Sequence, residues 1–220
     1  MSDFTTARQK MVDGQVRPSD VTDQRILDAM LAVPREAFVP ESQRALAYLD
    51  LDLDVGEAGA KRFLIKPVVI ARMLQAAEIM ETDNVLVVGC ATGYTAAVVA
   101  KLGCRVTATA SDGAQAAKAS DVLAKLGFGT VTVRSAAAAD GDEVNAPYDV
   151  IVLAGATEIV PDRLYRQLRD GGRLVGVFAM SRPARAMIVT HSHADLGDRA
   201  LFDAAVPVLP GLERPPAFVF

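Results

Sequence analysis

The residues best suited to chemistry fall in one short stretch, Asn84 to Ala100, which reads NVLVVGCATGYTAAVVA. Its small residues Gly89, Cys90, Ala91, Thr92 and Gly93 let the backbone turn sharply and let a ligand come close to the main chain. Val85 to Val88 before them form an apolar run with no polar face, as expected of a parallel strand buried on both sides. After them, Thr92 or Thr95 can cap a helix running through Leu102, with Tyr94 in its first turn. Strand, tight turn and helix start together make the unit that receives nucleotide-like ligands at the carboxyl ends of parallel strands.

The dinucleotide spacing G-x-G-x-x-G is absent, and Ala91 stands where a G-x-G-x-G loop has its middle glycine. This points away from NAD and towards an S-adenosylmethionine loop. Three other groupings carry less. Cys90 stands at a helix start, where a thiolate is favoured, but no histidine accompanies it, so it reads as a small loop residue. His191-Ser192-His193-Ala194-Asp195 begins like a two-metal motif whose final histidine is here Leu196. With no further histidine in the chain, it reads as a solvated hairpin tip. Asp50, Asp52 and Asp54 match the first three ligands of a calcium loop, but Val55 and Lys61 occupy the places of its glycine and its bidentate glutamate. No metal site is expected.

The elements that must position the turn follow from periodicity. Residues 1–66 are helical patches between prolines and predict a cap. Asp20 or Thr22 starts a helix with Ile26, Leu27, Met30 and Leu31 on its apolar face and Pro34 at its end, and Pro40 opens a second short helix. Tyr48 to Val55 alternates strictly and predicts an edge strand with its carboxylates facing water. From Pro67 onward helix and strand alternate. Val69, Ile70, Met73, Leu74 and Ala77 share a helix face, Arg105 to Ala110 is a strand, and Asp112 caps a helix to Leu126. Val131 to Arg134, Val150 to Leu153 and Leu174 to Phe178 are further strands, with a helix from Pro161 to Asp170-Gly171-Gly172 before the last. Ala186 to Thr190 and Ala200 to Val206 complete the sheet across a polar turn, His191 to Arg199. The expectation is one α/β domain with a doubly wound, mostly parallel seven-stranded sheet. It divides into an N-terminal helical cap (1–66), an α/β core (67–206) and a C-terminal tail (207–220).

The gross numbers agree with one domain. With 220 residues, 51% of them hydrophobic, the chain can bury a large core. A net charge of −4 without a basic stripe gives no reason to expect nucleic acid or a membrane surface as partner. The start MSDFTTARQK holds no apolar stretch and the two cysteines make no Cys-x-x-Cys pair, so a soluble cytoplasmic protein is expected.

With these elements placed, the chain resembles the protein-L-isoaspartate O-methyltransferase family, in a divergent bacterial branch with the class I, Rossmann-like methyltransferase fold. The resemblance rests on three blocks in order: QVRPSDVTDQRILDAMLAVPREAFVP, VLVVGCATGYTAAVVAKLG and APYDVIVLAGATEIVPDRLYRQLRDGGRLVGV. It implies transfer of a methyl group from S-adenosylmethionine to the free carboxylate of an isoaspartyl residue in a damaged peptide or protein. A free carboxyl of this kind loses its proton at a pH of about 4 and is ionised at neutral pH, so alignment and exclusion of water can supply much of the rate without a general base.

The resemblance also implies which residues meet the cofactor: Gly89 to Tyr94 through the backbone, then Ala110, Ser111 and Ala137. Ile65 and Lys66 stand at the place of the family's serine beside the transferred methyl and its neighbour, where the family's Thr-Ile-Ser-Gln-Pro is here Phe63-Leu64-Ile65-Lys66-Pro67. Several of these positions depart from the family. Val87 replaces an acid two places before the first loop glycine, and Ala110 replaces the acid that holds the ribose. Ala136-Ala137-Ala138 replaces a Gly-Asp-Gly. Each lost acid removes a charge-assisted hydrogen bond worth ~1.5–3 kcal/mol. The expectation is therefore a weakened donor site. The alternative is a relative that has lost catalysis and binds a peptide, ligand or partner.

Overall fold

In the computed structural model, residues 4–57, 60–193 and 195–215 are described. The chain begins with α1 (Phe4–Met11), continues through a π turn (Val12–Val16) and a 3-10 turn (Arg17–Ser19), and enters α2 (Gln24–Ala32). The cap of α2 is Asp23, whose carboxylate accepts from Arg25 N at 2.9 Å, and not Asp20 or Thr22. Asp20 lies in the left-handed region at φ 63°, and Thr22 N donates to Gln75 Oε1. The expected apolar face is largely confirmed, with Ile26, Leu27 and Met30 buried. Two 3-10 turns follow, Arg35–Phe38 and Glu41–Leu46, the second opened by Pro40.

The strand expected over Tyr48 to Val55 is confined to β1 (Leu53–Asp54), paired antiparallel with β2 (Phe63–Leu64). The aspartates are why. Asp50 Oδ1 accepts from Val68 N at 3.1 Å, Asp52 Oδ1 from Lys66 N at 2.9 Å, and Asp54 Oδ1 from Gly56 N at 3.0 Å and Arg62 N at 3.2 Å. Carboxylates expected to face water instead satisfy open backbone donors, two of them at the start of the next helix.

That helix is α3 (Pro67–Ala77), with Pro67 in its first turn and Val69, Ile70, Met73, Leu74 and Ala77 buried. Then come β3 (Asn84–Val88), α4 (Tyr94–Ala100), β4 (Arg105–Ala110), α5 (Gly113–Lys125), β5 (Thr132–Ser135), β6 (Tyr148–Thr157), α6 (Asp162–Tyr165), β7 (Leu168–Phe178), β8 (Arg185–Ser192) and β9 (Asp195–Asp203). The main sheet has seven strands in the order β5-β4-β3-β6-β7-β8-β9. The first five strands in this order make four parallel pairings, and β8 pairs antiparallel with both β7 and β9.

Two lengths differ from expectation. The helix opened by Pro161 ends at Tyr165, because Leu168 already pairs with Tyr148 and β7 starts six residues earlier than Leu174. The turn between the last strands is far shorter than His191 to Arg199, since pairing continues through Thr190↔Gly197, His191↔Leu196 and Ser192↔Asp195. Ala194 and residues 216–220 lie outside the described residues.

Alternate residues of β3 serve different layers, as a strand covered on both faces requires. Val85 and Val87 join a core shared with the N-terminal helices, α3, α4 and α5, while Leu86 and Val88 join a second cluster with Tyr148, Ile151, Leu164 and Leu212. The sheet ends in the short strand β5 on one side and in β9, exposed along most of its length, on the other. No helix among the described residues is long and apolar enough to cross a membrane.

Candidate active site

The chain reverses its direction of winding between β5 and β6, and this opens a crevice beyond the carboxyl ends of β3 and β6, where open α/β sheets receive ligands. The turn after β3 stands there. Gly89 (φ 72°), Ala91 (φ 49°) and Gly93 (φ 104°) all take left-handed conformations, which a side chain disfavours and glycine accepts. Cys90 N donates to Thr109 O at 2.8 Å and Gly93 N to Cys90 O at 2.7 Å, so neighbouring β4 holds the turn.

Neither threonine caps α4. Its N-cap is Gly93 without a side-chain bond, and Thr92 Oγ1 donates to Phe38 O at 2.6 Å, tying the turn to the N-terminal region. Cys90 is buried, and burial pushes its thiol up to about 12, as for a packing residue and not a nucleophile. Tyr94 is fully buried edge-on against Phe38, ring centroids 5.7 Å apart.

The opposite wall is held by a residue with no obvious signal in the sequence. Arg35 is fully buried. Its Nε donates to Ala47 O at 2.9 Å and its Nη2 to Ile65 O at 3.0 Å, and its guanidinium lies 4.6 Å from the centre of the Tyr94 ring. One side chain thus fixes Phe63 to Lys66 against the start of α4. Burial lowers its pKa, with the Tyr94 hydroxyl group and the Asp50 and Asp52 carboxylates acting in the opposite sense.

Between these walls, Gly89, Ala91, Ile65 and Ser111 line a common cleft with Arg62, Phe63, Gln115, Ala136, Ala138 and Ala154. Ser111 Oγ accepts from Arg62 Nε at 2.8 Å and lies 3.2 Å from Gln115 Oε1. Asp112, the N-cap of α5, accepts from Gln115 N at 2.8 Å, so its carboxylate is engaged in capping. Ala110 is buried at the end of β4, with its carbonyl accepting from Ala136 N, and Val87 is fully buried in the sheet. Ala137 is exposed, and its carbonyl accepts from Asp140 N at 3.0 Å. Lys66 is not among the residues lining the cleft. Its Nζ donates to Ala205 O at 3.0 Å and lies 3.8 Å from Asp52 Oδ2.

The fourth side of the cleft is Pro207 to Pro210. This segment runs beside the end of β6: Ala156 N donates to Pro207 O at 2.9 Å, Leu209 N to Ala156 O at 2.9 Å, and Glu158 N to Leu212 O at 2.8 Å. A Cβ built on Gly155 would stand 2.8 Å from Leu209 Cδ2, and one on Gly89 would overlap the same atom. Leu209 therefore rests directly on the backbone of two strand ends. The space left in the cleft is about 30 Å³, against about 300–1,000 Å³ for pockets that enclose ligands of drug size.

S-adenosylmethionine can be tested against this geometry. Among the described residues lining the cleft there is no carboxylate, and Leu209 fills the space over the first turn glycine. In this conformation Leu209 covers the first turn glycine, while Asp112 and Glu57 line an adjoining hollow of about 330 Å³ that shares Arg62 and Gln115 with the cleft, so the residues present fit the cofactor only with Leu209 moved off Gly89.

The two histidines lie at the far end of the β8–β9 hairpin. His191 Nδ1 is 3.1 Å from Arg169 O, and His193 N donates to Asp170 Oδ1 at 2.7 Å. Among the described residues no group of three or more His, Cys, Asp or Glu side chains is placed to hold a metal ion.

A doubly wound sheet of this order, with a small-residue turn at its switch point and an N-terminal helical region over it, defines a class I methyltransferase domain. Similarity to known proteins narrows this. Residues 6–194 match the family model for protein-L-isoaspartate(D-aspartate) O-methyltransferase, and the chain belongs to that family. It is 38% identical over 185 residues to protein-L-isoaspartate O-methyltransferase 1 of Rhodopseudomonas palustris, covering 84% of this chain and 74% of that protein. It is 34% identical over 203 residues to the corresponding protein of Syntrophobacter fumaroxidans, covering 90% and 93%. Among solved structures, a protein-L-isoaspartate O-methyltransferase superposes with a TM-score of 0.83 at 23% identity, over 94% of this chain and 67% of the other. A Plasmodium falciparum protein described as a family member in complex with S-adenosyl-L-homocysteine superposes with a TM-score of 0.77 at 15% identity, over 92% and 97%.

Proposed function

We propose that this chain carries its family's reaction, methylation of the isoaspartyl carboxylate of a damaged peptide or protein in the cytoplasm, through a donor site weaker than the family's usual one. The observation that carries the reading is the Gly89–Gly93 turn at the switch point of the sheet, whose Gly89 and Ala91 share a cleft with Phe63 and Ile65. S-adenosylmethionine supplies the methyl group. The chain's own contribution is positional. Backbone amides of Ala91, Thr92 and Tyr94, with Ser111, would hold the donor side, while those of Cys90 and Gly93 brace the turn itself, and Ile65 keeps water from the place where the carboxylate arrives without offering it a hydrogen bond. Lys66 contributes positive charge near that mouth, already shared with Asp52. Ala110 and Ala137 are positions where the donor gains no polar contact from a side chain.

The second reading, a relative that has lost catalysis and binds a peptide or partner, is favoured by one observation: the lining of the cleft has no carboxylate and its space is taken by Leu209. A radiolabelled methyl-transfer assay on an isoaspartyl peptide separates the two. The expected result is slow but measurable transfer, raised by Ala110→Glu and further by adding Ile65→Ser. Absence of transfer by the unmodified chain and by both variants would leave only the second reading, and vigorous transfer by the unmodified chain would overturn the weakened site.

A further inference from the structure

The cleft is closed by the chain itself. A glycine at the end of a buried strand permits close approach to its backbone, and at a switch point the approaching group is ordinarily the ligand. Here it is Leu209, seated on both Gly89 and Gly155 at the ends of the adjacent strands β3 and β6. Its seat is built. Three backbone hydrogen bonds tie 207–212 to β6 and the residues after it, Leu209 and Leu212 are both buried, and Arg214 N donates to Glu158 Oε2 at 2.9 Å just beyond.

The geometry points to Leu209 as the residue that sets access to the donor site: S-adenosylmethionine or its demethylated product gains a place over Gly89 only when Leu209 is displaced or shortened. The inference rests on the reading of this cleft as a donor site. It adds that weak binding comes from an internal competitor as well as from missing acids. Displacement of the 207–212 segment that carries Leu209 breaks the three bonds to 156 and 158 and exposes two leucines. Shortening the side chain leaves those bonds in place. The two routes therefore leave different marks on the Ala156 and Glu158 amides.

The test is calorimetric titration of S-adenosylhomocysteine into the full chain and into Leu209→Ala, with amide hydrogen exchange followed at Ala156 and Glu158. Leu209→Ala is expected to bind at least tenfold more tightly, about 1.4 kcal/mol, with both amides still protected. The unmodified chain, at saturating ligand, is expected to lose protection at both. Where Leu209→Ala melts too low to assay, Leu209→Val takes its place, with about threefold tightening expected from the smaller side chain. Equal affinity in the unmodified and folded variant chains overturns the inference, as does binding to the unmodified chain with both amides still protected. A Leu209→Ala protein that binds the product tightly yet transfers no methyl group to an isoaspartyl peptide overturns the proposed reaction and leaves the role of Leu209 standing.

Discussion

Replacing Gly89 by alanine should destabilise the folded chain through two separable effects. Gly89 has φ 72°, and a residue with a Cβ in that region costs ~1–2 kcal/mol relative to its preferred conformations. The new methyl would also overlap Leu209 Cδ2, and forcing extra volume into a packed site costs ~1–3 kcal/mol. Together Gly89→Ala is expected to cost ~2–5 kcal/mol. Gly127 offers the control. Its φ is 84° and a Cβ there would meet nothing within 4 Å, so Gly127→Ala should cost only the conformational part. Urea unfolding with a constant m-value measures both. Leu209→Ala alone should cost ~2–5 kcal/mol through the cavity it leaves. In the double variant the Gly89→Ala methyl enters that cavity, so the two changes should cost less than their sum by ~1–3 kcal/mol. Equal losses for Gly89→Ala and Gly127→Ala, or strict additivity of Gly89→Ala with Leu209→Ala, would refute the placing of Leu209 against this glycine.

Arg35→Met should lower stability by ~3–5 kcal/mol in the same assay, since the carbonyls of Ala47 and Ile65 lose a charged donor in a buried place; Arg35→Lys should recover only part, because an ammonium cannot reach both with the guanidinium's fork. A loss below about 1 kcal/mol for Arg35→Met would contradict that role. Burial pushes both Cys90 and Cys104 up to about 12, so neither thiol should react with a disulfide reagent at pH 8 until the chain is unfolded. Rapid labelling of Cys90 in the native protein would show that the turn opens.

Most of the architecture could be read from periodicity. The all-apolar run Val85 to Val88, the strand Arg105 to Ala110 and the cap Asp112 stand where their patterns put them, because buried strands and capped helices write their physics locally. Local signals misled where a distant group competed for them. The alternation of Tyr48 to Val55 satisfies the period of a strand, but amides of Gly56, Arg62, Lys66 and Val68 claim its carboxylates first. Thr92 has the chemistry of a helix cap, yet Phe38 O, 54 residues away, receives its hydroxyl. Arg35 and Leu209 were not legible as site residues, since nothing in Pro34-Arg35-Glu36 or in Pro207-Val208-Leu209-Pro210 specifies which cavity they enter. A faint signal existed in Gly155 inside an otherwise apolar strand, a mark of close approach by another part of the chain.

The two borders of the sheet have a consequence for self-association. A border strand presents unpaired amides and carbonyls to any other extended chain, and long, flat, apolar ones seed fibres. β5 offers little template because it is only 4 residues long. β9 is 9 residues long but carries Asp195, Asp198, Arg199 and Asp203, with Gly197 between them, and Arg185 on its neighbour pairs with Asp203 at 3.0 Å. Docking a second strand there would bring like carboxylates together and weaken the pairing at the glycine. Charges so placed oppose edge-to-edge pairing, and neutralising Asp195, Asp198 and Asp203 together is expected to raise self-association, read by light scattering.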